Sequence, residues 1–243
     1  MKTTVKINKL GAKMVAHRGL SGIERENTNS AFIAAANRSY YGIETDVHVN
    51  PDGEFIIMHD ESVGRVSGGK YSVNVEKVSY EKLADIILPD LDGSFDRSDI
   101  RIPKLSEYIR ICKKYGKRSV LELKNPFVKE DVIRLVQEIT DLGYIDGVTF
   151  ISFSFNNCVI LRELLPNAAI QWLTGEPISD EDVEKLIRYS LGLDIYYKHL
   201  DCEKIEMLHA KGIEVNCWTC DDKNAAEQLA EMGVDYITSN ILE

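Results

Sequence analysis

Two hydrophobic rhythms alternate along this chain. Short apolar or β-branched runs, patterned with period two, are followed by longer stretches whose apolar residues recur three and four positions apart. Met14-Val15-Ala16 reads as a first strand ending at His17-Arg18-Gly19. Thr28 then stands where it can cap a helix through Ala31, Phe32, Ala35 and Ala36. Residues 42–48 form the second strand, and Asn50-Pro51-Asp52-Gly53 marks a turn whose return strand is 54–58. A two-residue Asp-Gly loop would set His59 opposite Asp46. A type I turn with a glycine bulge would set Met58 there instead, and the sequence does not choose.

From residue 60 to about 101 the rhythm lapses, and we read this stretch as an insertion over one end of the fold. Regularity returns with a helix at 105–115 and a strand at 119–124. Helix 130–142, strand 148–152, a helix stopped by Pro166, strand 169–173 and helix 180–190 follow. Strand 193–197, helix 201–211, strand 214–218, helix 222–232 and a last strand at 236–238 complete the series. Eight strand–helix steps, with no room for a final helix, favour an α/β fold of the TIM (β/α)8 barrel type over an open doubly wound sheet. The expectation is one barrel domain over residues 1–243, close to the roughly 250 residues such barrels need. No glycine-rich phosphate fingerprint follows the first strand, which weakens a dinucleotide-binding reading.

Composition narrows the partners. The net charge of −10 argues against nucleic acid or an anionic membrane, so a phosphate-bearing ligand would need a local positive site or a metal. Five scattered cysteines suit the reduced thiols of a cytosolic protein. Cys217 and Cys220 spell C-x-x-C, but no second pair accompanies them to make a zinc site. The first residues show no apolar signal-peptide core, and no run approaches the ~18 apolar residues of a membrane span. A cytoplasmic protein without stable membrane anchoring is the expectation.

The chemistry collects at strand ends, where such barrels carry their active sites. Alternation puts Glu44, Asp46 and His48 on one face of the second strand. Glu122 and Lys124 share a face of the third, and Asn216 and Trp218 share one near the chain's end. His17 and Arg18 close the first strand, and His59 follows the hairpin return. Paired buried carboxylates must take up protons, find a basic partner or hold a cation. The further polar residues at matching strand ends favour the cation. Glu44, Asp46 and Glu122 offer only oxygen, which suits Mg²⁺, Ca²⁺ or Mn²⁺ better than zinc. Arg18 and Lys124 would suit a phosphoryl group, one by forked donation and one as a point charge. His17 and His59 can exchange protons near neutral pH. Singly, each residue has an ordinary reading: a structural histidine, an ion pair, a core tryptophan. His48, His199 and His209 are left as structural, and Lys198 has no assigned role. Together they occupy layers that an ordinary barrel core fills with Val, Ile or Leu.

These residues resemble the glycerophosphodiester phosphodiesterase family. His17-Arg18-Gly19 with Glu26-Asn27-Thr28 and Ala31-Phe32 looks like its first signature. Glu44-x-Asp46-Val47, Asp52-Gly53 and His59-Asp60 look like the second. Ile102-Pro103-x-Leu105, Leu121-Glu122-Leu123-Lys124 and Asn216-x-Trp218-Thr219 extend the likeness over nearly the whole chain. The resemblance implies hydrolysis of a small-molecule glycerophosphodiester to an alcohol and sn-glycerol 3-phosphate. It implies His17 and His59 as acid–base pair, Glu44, Asp46 and Glu122 as ligands of one divalent cation, Arg18 and Lys124 at the phosphate, and Trp218 at the glycerol. The implied route is attack by the substrate's own 2-hydroxyl, giving a cyclic phosphate that water opens. A lyase-type relative stopping at the cyclic phosphate and a silent phosphodiester-binding barrel are the alternatives. Two departures stand out: Arg25 where the family has proline, and Thr238-Ser239-Asn240 where it has Thr-Asp-x-Pro. The second is expected to touch none of the residues named for chemistry. The preferred alcohol, the native metal and the oligomeric state are not legible.

Overall fold

Eight parallel strands close on themselves in the computed structural model, which describes residues 3–243. The strands are β1 (Lys13–Ala16), β2 (Gly42–Val49), β3 (Phe55–Ile57), β4 (Arg118–Leu123), β5 (Val148–Ser152), β6 (Ala169–Thr174), β7 (Gly192–Tyr196), β8 (Val215–Trp218) and β9 (Tyr236–Ser239). Each barrel strand pairs with the next in sequence, and β1 bonds both β2 and β9 to seal the ring. Antiparallel β3 is the exception, attached outside the ring to the far half of β2. This is the TIM barrel that the alternating rhythms lead one to expect.

The helices are α1 (Asn29–Ala36), α2 (Tyr80–Ala84), α3 (Leu105–Tyr115), α4 (Lys129–Asp141), α5 (Phe155–Leu164), α6 (Asp180–Arg188), α7 (Cys202–Ala210) and α8 (Lys223–Glu231). Their starts follow local chemistry. The side chains of Thr28, Ser154, Ser179, Asp201 and Asp222 each accept a first-turn backbone N–H that the helix cannot satisfy itself. Next to β9, Val5 N–H donates to Ile241 O and Ile7 N–H to Glu243 O, both at 3.1 Å.

Period-two alternation sorts the strand side chains into two layers. Ile43, Val47, Leu121, Leu123, Phe150, Leu193, Ile195 and Val215 point outward into the layer shared with the helices. Val15, Val120, Ile151, Leu173 and Tyr236 point inward as a small apolar plug, with Trp218 packed against it. The plug is small because the other inward positions are polar, and those build the site.

The hairpin takes the glycine-bulge register. Val47 pairs with Ile57 and His48 with Ile56, so Met58 stands opposite Asp46 and donates to its carbonyl at 3.1 Å. Gly53 adopts φ 77° and donates to Asn50 O at 3.0 Å, a left-handed turn residue that inserts the extra position. His59 therefore lies beyond the last pair and leaves the sheet. The segment between β3 and α3 holds α2 and gathers Val63, Val66, Leu83, Leu88 and Ile100 around Ile56 and Met58. It is tied to the β1–α1 loop by Arg97, 2.6 Å from Glu24, and by Arg25, which donates to Pro89 O at 2.7 Å.

Candidate active site

The loop after β1 turns sharply through residues in the left-handed region. Arg18 has φ 53°, Gly19 φ 75° and Asn27 φ 54°, and a Cβ on Gly19 would lie 2.7 Å from Ala31. For Arg18 and Asn27 such backbone costs about 1–3 kcal/mol each, so other contacts must hold it. Arg18 N–H donates to Glu44 Oε2 at 2.7 Å, and Asn27 N–H to Arg18 O at 2.9 Å. Asn27 Nδ2 donates to Asp46 Oδ2 at 2.7 Å, and its oxygen accepts from Thr45 Oγ1 at 2.7 Å. The turn is thus pinned to the carboxylates of β2.

Glu44, Asp46 and Glu122 are all buried, and one oxygen of each lies within 4.8 Å of the others. Register explains the convergence: Asp46 pairs directly with Glu122 across β2 and β4, and Glu44 sits two residues back on the same face. Lys124 Nζ is 2.8 Å from Glu122 Oε1 and 3.4 Å from Asp46 Oδ1, and Arg18 Nε is 3.6 Å from Asp46 Oδ2. None of these three close approaches has hydrogen-bond geometry, and Asp46 Oδ1, Glu122 Oε1 and Arg18 Nε remain buried without a hydrogen-bond partner.

Three acids against two bases leave the group short of positive charge, and their titration reflects it. Burial and the Asp46 and Glu122 charges push Glu44 well above the usual carboxylate range. Burial and Asp46 push Glu122 up to about 8. Asp46, also pushed up by burial, is held below its ordinary value by Lys124 and Arg18. An all-oxygen cluster with orphaned acceptors and a charge deficit is able to hold a divalent metal ion.

His17 and His59 face the same cavity, each anchored through Nδ1. His17 Nδ1 lies 2.8 Å from Asn240 Oδ1, and its Nε2 is 4.0 Å from Glu44. Burial and neighbouring Arg18 hold the His17 imidazole down at about 4, so it is neutral at pH 7. His59 Nδ1 is 2.6 Å from Asp60, which Arg65 grips at 2.7 Å. Burial lowers His59 as well, opposed by the charge of Asp46. Arg65 also forks onto Glu26, whose other tie is Arg18 at 2.8 Å. The expectation that the Thr238-Ser239-Asn240 departure touches no chemical residue is therefore wrong. Asn240 grips His17 directly, because barrel closure lays β9 beside β1.

The cavity measures about 180 Å³, room for several heavy atoms where one water needs roughly 10–15 Å³. His17, Arg18, Glu44, His59, Glu122 and Trp218 line it, as do Phe153 and Asp194. Trp218 meets Phe153 edge-on, with centroids 5.7 Å apart, and the two rings give the cavity an apolar wall. Asp46 and Lys124 do not line the cavity; Lys124 stands among the carboxylates. His48 is structural, 2.7 Å from Glu76 and 3.1 Å from His59 O, and Lys198 lies over the rings of Tyr196 and Tyr197. Asn27, Glu26 and Asp60 bond directly to Asp46, Arg18 and His59, although the sequence reading used them only as signature letters. Asp194 was missed, and its one signal was an acid between Leu193 and Ile195 in an apolar strand.

The chain matches the glycerophosphoryl diester phosphodiesterase family over residues 17–242. It is 27% identical to a glycerophosphodiester phosphodiesterase of Bacillus subtilis, covering 93% of this chain and 82% of that protein. It is 26% identical to one from Caldanaerobacter subterraneus subsp. tengcongensis, covering 93% of each. A solved glycerophosphodiester phosphodiesterase from Parabacteroides distasonis superposes with TM-score 0.78 at 26% identity, over 95% of this chain and 93% of that one. A phosphodiesterase from Oleispira antarctica, solved with its product sn-glycerol-3-phosphate, shares the fold with TM-score 0.85 at 24% identity, over 98% and 96%. No helix among the described residues is long and apolar enough to cross a membrane.

Proposed function

The chain belongs to the glycerophosphoryl diester phosphodiesterase family, and from that premise we propose that it hydrolyses glycerophosphodiesters to sn-glycerol 3-phosphate and an alcohol in a metal-dependent, two-histidine reaction. One observation carries the reading: three carboxylate oxygens lie within 4.8 Å of one another, two of the three acids (Glu44 and Glu122) lining a cavity flanked by two histidines with free Nε2 atoms. Glu44, Asp46 and Glu122 would hold one divalent cation, Mg²⁺, Ca²⁺ or Mn²⁺. Bound there, it supplies Lewis acidity that lowers the pKa of the substrate's 2-hydroxyl.

The remaining work falls to side chains. Arg18 Nε, buried and unpartnered, orients a phosphoryl oxygen, and Lys124 balances charge behind it. His17, backed by a neutral amide, holds an open lone pair on Nε2 and takes the proton of the 2-hydroxyl as its oxygen attacks phosphorus. His59 is backed by Asp60, which burial raises but Arg65 and His59 hold down at about 2. A carboxylate behind the ring stabilises the imidazolium, so His59 is the acid that protonates the departing alcohol oxygen. Water then opens the cyclic phosphate with the two roles exchanged. The attacking and reacting atoms belong to one molecule, which makes proximity the cheapest source of rate. Five free thiols support a reducing compartment such as the cytoplasm as its location.

A metal-screened assay against a panel of glycerophosphodiesters, read by phosphorus NMR, tests this. Accumulation of sn-glycerol 3-phosphate supports it; a cyclic phosphate as end product indicates a lyase. Binding without turnover at saturating Mg²⁺, Ca²⁺ and Mn²⁺ rejects catalysis.

A further inference from the structure

Asp194 is a buried acid in the active cavity that the reaction above does not use. It stands on the inner face of β7, paired in register with Asn216 of β8. Its Oδ2 accepts from Asn216 Nδ2 at 3.1 Å. Asn216 is itself fixed by Gln171 Oε1 at 3.1 Å and by Thr238, which donates to its oxygen at 3.3 Å. Oδ1 of Asp194 has no partner, although the residue is only 2% exposed and lines the cavity beside Leu173 and Ile151. A carboxyl oxygen left unpaired in such a place costs free energy unless a ligand meets it.

The surroundings define that ligand. Asp194 lies outside the group of acids whose oxygens fall within 4.8 Å of one another, so it is not a fourth member of the cation cluster. Glu44 and Glu122 line the same cavity and repel an anion, which places the phosphoryl group on the Arg18 side. An uncharged hydroxyl satisfies a carboxyl oxygen in either protonation state, because it both donates and accepts. Resting on the hydrolase reading, we propose that Asp194 is a specificity residue whose free oxygen hydrogen-bonds the terminal hydroxyl of the substrate's glycerol. The hydroxyl next to it attacks phosphorus and the terminal one is anchored, so the enzyme measures a polyol.

The test compares glycerophosphocholine with the analogue in which propane-1,2-diol replaces glycerol, keeping the attacking hydroxyl and lacking the terminal one. The wild type should favour glycerophosphocholine in kcat/KM by roughly 10–100-fold. Asp194→Ala should lose activity on glycerophosphocholine and bring the ratio to within about threefold, since only the anchored substrate loses a partner. Calorimetry with sn-glycerol 3-phosphate and propane-1,2-diol 1-phosphate should give the same preference, and the same collapse in Asp194→Ala. Equal treatment of the two diesters by the wild type overturns the proposal whether or not the variant folds. So does a variant that weakens both substrates in proportion. If the wild type turns over neither diester, the hydrolase reading fails, and the calorimetric ratio then decides the Asp194 contact by itself.

Discussion

Asn240 holds His17 across the closure of the barrel: Oδ1 of the amide meets Nδ1 of the ring at 2.8 Å. The amide cannot turn around, because its nitrogen donates to Asp221 Oδ2 at 2.6 Å and its backbone N–H to Asp221 Oδ1 at 2.7 Å. Its oxygen therefore faces the ring, Nδ1 carries the hydrogen, and Nε2 is left as the base. Replacing Asn240 by Leu should lower kcat by roughly 10–100-fold with KM within about threefold, since the ring loses its tautomer and aim but the ligand contacts stay. Asn240→Asp sets a negative charge beside the ring and raises the His17 pKa above its present value of about 4. A base must be unprotonated, so the acid limb of the kcat/KM profile should move to higher pH. An unmoved limb removes His17 from the role of base.

The two histidines should separate by leaving group. His17→Ala and His59→Ala each lower kcat on glycerophosphocholine by roughly 10²–10⁴-fold. With a p-nitrophenyl ester of glycerol 3-phosphate, whose leaving group needs no protonation, His59→Ala should recover most of its activity and His17→Ala none. Equal recovery, or none in both, rejects the assignment of acid and base.

Metal and fold should be coupled through the triad. Chelation should abolish activity, and Mg²⁺ or Ca²⁺ at about 100 times its Kd should stabilise the fold by about 2.7 kcal/mol. Glu122→Gln removes one ligand oxygen's charge and should raise the metal concentration giving half-maximal activity at least tenfold. Titration curves that coincide for wild type and variant would exclude Glu122 as a ligand.

Glu26 should make the fold sensitive to acid. Burial raises its carboxyl, but the Arg65 and Arg18 guanidinium groups outweigh that and lower it from 4.5 to about 2. A depressed pKa stabilises the folded state above the unfolded value, and that stability is lost as pH falls from about 4.5 through 2. The contribution is at most about 3 kcal/mol for a side chain that is 17% exposed. Urea midpoints should drop for the wild type between pH 5 and 2 more steeply than for Glu26→Gln, and parallel slopes would show that the network contributes nothing measurable.

Much of this protein could be read locally. Strand and helix rhythms depend on residues a few positions apart, so the order of elements and the barrel count stood in the sequence. So did the shared face of Glu44 and Asp46, because alternation is a property of any strand, and the placement of Glu122 with Lys124 on the next one. Capping by Thr28 needed only its own helix.

What remained was decided by distance in sequence and by single backbone angles. The φ of Gly53 chose the hairpin register and so sent His59 out of the sheet. His17 and Asn240 are 223 residues apart, Asn216 and Gln171 45, and no local pattern announces such partners. Closing the ring forces β1 beside β9 and turns every inward side chain toward one axis. Only that closure brings Asp194, Glu44 and Glu122 to a shared cavity with Asp46 packed beside it, where charges that would be hydrated on an open strand must find partners among themselves.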